Sequence, residues 1–247
     1  MNATPLDPKK IARAFGVWFV LTWVFAIAAR ALFDPAYNDP GYILGAGSDF
    51  RVQLGAVFDF LLIIANIATA VVLYPIAKRQ SQIGALGYVT ARIMESAFIM
   101  VGLLSLLSLV ALRQDLGGAA GADAAALEAT SRSLVSVYEF TFLFGPGLVV
   151  GFGNGLILGW LMYSSGLLPR RLAMLGLIGG PSLIVAFVIV LFGVVETGSA
   201  GQFLFSAPEM VWEAALPIYL LWKGFRSSPV ISLDDGVPAV EPSMSSV

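Results

Sequence analysis

The chain has no cysteine and no histidine among its 247 residues. Their absence excludes disulfides, thiolate chemistry and structural zinc of the usual Cys/His kind. It also excludes the common haem ligands, a Ser–His–Asp triad and histidine proton relays. No cofactor is expected, and no Cys/His metal site; a hard cation held by carboxylates stays open. Charge is scarce as well: 14 basic and 16 acidic residues make 12% of the chain and a net −2. No basic tract exceeds two residues, so no nucleic-acid partner is expected.

What fills the chain instead is apolar. Hydrophobic residues make up 58% of it and mean hydropathy is +0.86. A soluble domain is nearer half apolar and a quarter charged, so most of this chain must have lipid as its solvent. Six segments have the ~20 apolar residues that cross ~30 Å of hydrocarbon: about 12–33, 52–75, 84–112, 134–163, 172–195 and 206–225. The expected fold is all-α, a transmembrane bundle of six helices over 1–226, with 227–247 as a disordered cytoplasmic tail. Lys9, Lys10 and Arg13 before an apolar run, with Ala26-Ile27-Ala28 behind, resemble a signal peptide. Length and flanks favour a retained first span.

Orientation follows from the basic residues. Lys9, Lys10 and Arg13, then Lys78 and Arg79, Arg170 and Arg171, and Lys223 and Arg226 fall on one side. The other side carries Asp34, Asp39, Asp49, Asp115, Asp123, Glu128 and Glu196, with Arg30, Arg51, Arg113 and Arg132 as exceptions at helix ends. Both termini are therefore expected in the cytoplasm.

Gly147, Gly151, Gly155 and Gly159 recur every four residues in the fourth span, and Gly176 and Gly180 in the fifth. Such stripes let helices approach closely in lipid, against each other or a neighbouring copy. Pro146 and Pro181 each remove a helix hydrogen bond. They admit a second reading in which broken helices expose carbonyls to an ion.

Five formal charges fall inside spans: Asp59, Arg92, Glu95, Glu139 and Glu213. Near the bilayer centre each costs about 2.5–3.5 kcal/mol or more, so each should face the interior and find a partner. At 1.5 Å per residue, Asp59 falls roughly 10 Å and Glu139 and Glu213 about 6–9 Å below the outer boundary. Facing one another, these three would form an acidic vestibule. Arg92 and Glu95, three apart, can pair along one face, and Asn66 matches their depth. Asn66, Arg92 and Glu95 are thus expected as one polar cluster with Asp59 above. Such a cluster reads either as glue between helices or as a working site. Glu209, in Ser206-Ala207-Pro208-Glu209, reads as a capping box that starts the sixth helix.

Several stretches carry a family likeness: Asn38-Asp39-Pro40-Gly41-Tyr42 onward to Gly47, Ala65-Asn66-Ile67-Ala68-Thr69-Ala70, Gly87 to Glu95, Gly166-Leu167-Leu168-Pro169-Arg170 through Pro181, and Trp212-Glu213 to Phe225. Over roughly 10–226 the chain resembles the bacterial membrane proteins grouped as domain of unknown function 4386. The resemblance implies a multi-pass protein of a bacterial cytoplasmic membrane and assigns no activity.

Two functional readings remain. One is proton- or cation-coupled transport of a small solute, with the acids as carriers. The other is a non-catalytic membrane protein that binds a lipid or protein partner, homo-oligomers through the fourth helix included. An enzyme fits least: there is no Gly-x-Ser-x-Gly nucleophile motif, and carboxylates alone would have to carry acid–base chemistry.

Overall fold

The computed structural model describes residues 7–45, 47–116 and 124–232. Among them there are helices and no strands. α1 (Pro8–Leu32) is capped by the Asp7 carboxylate, which accepts from Lys9 N at 2.9 Å, with Pro8 at the first position. The short α2 (Asp34–Asn38) and a 3-10 turn (Pro40–Leu44) fold over the helix ends. α3 (Asp49–Gln80) and α4 (Gln82–Leu116) follow. The fourth long helix, Ala124–Ser165, is α5 (Ala124–Phe142), two π segments (Leu143–Val149 and Gly151–Leu158) and α6 (Gly159–Ser165). α7 (Arg170–Leu191), α8 (Ala200–Lys223) and α9 (Pro229–Ser232) complete the chain.

Each long helix packs on the next: α1 on α3, α3 on α4, α4 on α5 and the π segments, these on α7, and α7 on α8, which returns to α1. The result is a ring. One end is packed by Phe15, Tyr88, Leu158, Leu168 and Leu220, the other by Phe33, Tyr42, Val52, Leu106 and Tyr138. The helices therefore alternate in direction, and the basic N-terminus of α1 lies at the same end as the α3–α4 and α6–α7 corners.

Among the described residues five helices are long and apolar enough to cross a membrane: α1, α3, α4, Ala124–Ser165 and α7. α8 matches them in length, with 24 residues, but Gln202, Ser206, Pro208, Glu209 and Glu213 dilute its hydropathy. The distribution of side chains is inverted relative to a water-soluble domain. Val57, Phe60, Val101, Ile178 and Ile218 point outward, while Asp59, Asn66, Arg92, Glu95, Asn154 and Glu209 are buried. Apolar area on that scale fits lipid as the surrounding medium.

Four expectations need correction. α8 begins at Ala200, where the Ser199 hydroxyl accepts from Gln202 N at 3.3 Å. The capping box at Ser206 is thus not the helix start, and Glu209 lies well inside the helix. The earlier start also carries Glu213 about 9 Å deeper than a count from residue 206 implied. Neither Pro146 nor Pro181 opens a break: Pro146 sits in a π segment and Pro181 within continuous α7. The π register, bonded i to i+5, accommodates the missing N–H at Pro146 without unwinding the helix. Finally, the start of the tail is folded. Ser228 Oγ donates to Ser165 O at 2.5 Å, Arg226 N to Leu167 O at 2.9 Å, and Val230 is buried. Most of the rest of the tail lies outside the described residues, as does the glycine-rich part of the 114–132 loop.

Candidate functional site: a cavity with a charged floor

α3 and α4 meet through a closed polar network. Asn66 and Thr69 lie one turn apart on α3; Tyr88, Arg92 and Glu95 follow at helical spacing on α4. Arg92 Nη1 donates to Glu95 Oε2 at 2.7 Å and Nη2 to Asn66 Oδ1 at 2.8 Å. Its Nε reaches Thr69 Oγ1 at 3.2 Å and Asn66 O at 3.4 Å. Asn66 Nδ2 donates to the other Glu95 oxygen at 3.1 Å. The Phe19 ring of α1 lies 5.6 Å from the guanidinium. Each nitrogen of Arg92 and each oxygen of Glu95 has a protein partner, the condition under which a buried pair is tolerated.

Glu213 approaches the same network from α8. Asn154 Nδ2, in the second π segment, donates to Glu213 Oε1 at 2.5 Å. Trp212 Nε1 donates to Asn154 O at 2.9 Å, fixing the backbone beneath that amide. The π register brings Pro146 and Val150 to the interior above Asn154. Among the described residues the second Glu213 oxygen has no protein donor.

Between these groups lies a cavity of about 720 Å3, lined by α1, α2, α3, α4, α5, the first π segment with Val150 beside it, and α8. Asn66, Arg92, Glu95 and Glu213 form its polar floor; Trp23, Ile27, Leu62, Ile99, Phe142 and Met210 are among its apolar walls. Arg30, Asp34 and Asn38 stand at the opposite end.

The expected acidic vestibule does not form. Glu139 accepts from Tyr37 Oη at 2.8 Å, and Arg30 stacks on the Tyr37 ring at 3.6 Å. Glu139 lines a second cavity of about 420 Å3, which shares Arg30, Phe142 and Pro146 with the first. Burial, followed by the Glu139 hydrogen bond, pushes the Tyr37 phenol above its ordinary pKa. Asp59 is buried on α3 outside the polar network, within electrostatic range of Tyr138. The deeper Glu213 explains the separation: three acids expected at one depth lie at two.

The glycines of the fourth helix meet α7. A Cβ on Gly155 would come within 2.7 Å of Gly180 N, and one on Gly180 within 2.5 Å of Gly151 O. Gly159 faces Gly176 and Leu177; Gly176 faces the Trp212 ring; Gly147 has open space apart from its own turn. Glu209 enters this crossing from α8. Its Oε2 lies 2.9 Å from where a Gly155 Cβ would be and contacts the Gly179 position. It is 1% exposed, and among the described residues neither carboxyl oxygen has a hydrogen-bond partner. Among the described residues no three acidic side chains gather as a metal site.

Sequence reasoning missed Asn154, Thr69 and Glu209. Asn154 is the lone amide in a glycine-rich run read only for packing. Thr69 sits one turn from Asn66, a signal available from spacing. Glu209 was hidden by its resemblance to a cap.

Fold and cavity together define an all-helical, lipid-embedded bundle with a polar interior. The chain belongs to the family described as Domain of unknown function (DUF4386), whose match spans residues 14–224. No curated protein matches it. No solved structure matches it either.

Proposed function

We propose that this chain is a six-span protein of a bacterial cytoplasmic membrane, both termini inside, that moves a small solute coupled to a proton or cation. α8 supplies the sixth span: 24 residues rise about 36 Å, enough to cross. The basic residues gathered at one end support the orientation.

A single observation carries the transport reading. Glu213, an ionisable group inside a span, lines a solute-sized cavity and keeps one oxygen free of protein partners. Intramembrane acids facing a cavity mark substrate and proton pathways. Arg92 and Glu95 are the structural part of that floor, each held by the other and by Asn66. This revises the choice of carriers: Glu213 is the exchanging group, Glu139 lies in the outer chamber, and Asp59 takes no direct part.

Reconstituted protein should let at least one class of small solute dissipate an imposed pH gradient, read by an internal pH dye, and Glu213→Gln should abolish the effect. A panel of cationic, anionic and neutral solutes that leaves the gradient as stable as in empty liposomes would refute transport. Saturable solute binding without flux would favour the binding-protein reading instead.

A further inference from the structure

We infer that the cavity takes a lipophilic organic monocation, its charged group against Glu213 and its apolar body against the walls contributed by α1, α4, α5 and α8. The inference rests on the reading of Glu213 as the working acid but concerns which chemistry it receives.

The charge and the open valence of the floor decide which ligand fits. Every nitrogen of Arg92 already donates within the protein: to Glu95, to Asn66 and to Thr69. An anion entering the cavity would meet a guanidinium already paired with Glu95, and the Glu213 carboxylate beside it. Glu95 is equally occupied, one oxygen held by Asn66 and the other by Arg92. Arg92 and Glu95 cancel in formal charge, which leaves Glu213 as the uncompensated charge of the floor. Arg30 and Asp34 cancel likewise at the opposite end of the cavity. Glu213 has one neutral donor, Asn154, on one oxygen. Its other oxygen is the acceptor that a cation would satisfy.

The rest of the cavity selects among cations. A hard cation such as Ca2+ or Mg2+ takes six or more oxygen ligands, and the floor offers one unsatisfied carboxylate oxygen. A strongly hydrated polar cation would lose its water against Trp23, Ile27, Ile99, Phe142, Val150 and Met210. A cation that carries its own apolar shell loses little there and gains burial, and the Trp23 and Phe142 rings can face its charge. A volume of about 720 Å3 lies in the range of drug-sized ligand sites.

The test is equilibrium binding to the full chain in lipid nanodiscs, with uptake by empty discs subtracted. The probes are tetraphenylphosphonium and tetraphenylborate, matched in size and shape and opposite in charge. Saturable binding of the phosphonium is expected, weakened at least tenfold by Glu213→Gln and unchanged by Glu209→Gln, whose parent side chain lies outside the cavity. Tetraphenylborate should not compete. Should Glu213→Gln fail to fold, Met210→Trp fills the cavity wall and should weaken phosphonium binding to a similar extent. Equal affinity for the two ions, or full phosphonium affinity in whichever folded variant is measured, overturns the inference. Flux of another solute with no phosphonium binding refutes the ligand class and leaves transport standing. Phosphonium binding without flux does the reverse.

Discussion

Two seams hold this bundle together, and they are built on opposite principles. Between α3 and α4 the helices are joined by charge: Arg92, Glu95, Asn66 and Thr69 hydrogen-bond one another. Where the second π segment, α7 and α8 cross, the helices are joined by the absence of side chains, with Gly155 and Gly180 in backbone contact. A carboxyl that finds no donor, Glu209, lies in that second seam. In lipid there is little hydrophobic force between helices, so both devices are available: polar bonds that have no better partner, and close packing. The first tolerates no missing member. The second tolerates no added atom.

The largest effect should come from opening the charged seam. Arg92→Met leaves Glu95 buried without its counter-charge, which should destabilise the fold by about 3–5 kcal/mol. Unfolding in detergent micelles measures it. The double variant Arg92→Met, Glu95→Gln should recover much of the loss. If it recovers none, the pair is not the closed unit its hydrogen bonds describe.

Next comes the glycine seam. Gly180→Leu must push Gly155 and Gly151 away, at a cost of about 3 kcal/mol. Gly147→Leu, on the same stripe, meets no other helix and should be near neutral. Equal effects at the two positions would mean that the stripe works through helix propensity and not through contact. Glu209→Met probes the same crossing from the other side. Replacing an unpartnered buried carboxyl by an apolar chain of similar length should stabilise by about 1 kcal/mol, since nothing is lost when it goes. A fall in stability would reveal a hidden partner for that carboxyl.

The two seams were not equally legible in the sequence. The charged one could be read from depth and spacing: Arg92 and Glu95 three apart, Asn66 at their level on a neighbouring helix. Charge inside a span is rare enough that each instance demands a partner. The glycine stripe was also visible, and its partner on α7 followed from Gly176 and Gly180. What spacing could not give was the helix start of α8. A plausible cap at Ser206 competed with the true one at Ser199, and Pro208 in the first turn favoured the wrong one. That single displacement of the cap by seven residues misplaced Glu213, produced a vestibule with Glu139 and Asp59 that does not form, and hid Glu209. The π register of Leu143–Leu158 was equally out of reach, because glycine and proline spell flexibility at that site, and the close packing of Ala91 and Phe98 against Gly153 and Gly145 is visible only in the fold. Asn154, which faces Glu213, lies in that stretch.

The smallest effect expected lies at the end of the bundle opposite the basic N-terminus of α1, where a third polar cluster resembles the charged seam but is within reach of water. Tyr42 Oη donates to Asp49 Oδ1 at 2.9 Å, Arg113 pairs with Asp49 at 2.9 Å, and its guanidinium covers the Tyr42 ring at 4.4 Å. Burial, followed by the Asp49 hydrogen bond, pushes the Tyr42 phenol up to about 12. Its unfolded value is about 10. A group whose folded pKa is raised contributes stability that is fully present below its unfolded pKa and is lost as pH rises through the folded one. This cluster should therefore hold unchanged up to about pH 10 and weaken between about 10 and 12. Tyr42→Phe should remove about 1 kcal/mol at neutral pH, the worth of one hydrogen bond, and flatten the alkaline decline. Tyrosinate absorbance against pH, compared with the melting temperature in the same buffers, reads both. A decline that persists undiminished in Tyr42→Phe would place the alkaline sensitivity elsewhere, with Tyr37 and its bond to Glu139 as the next phenol to replace.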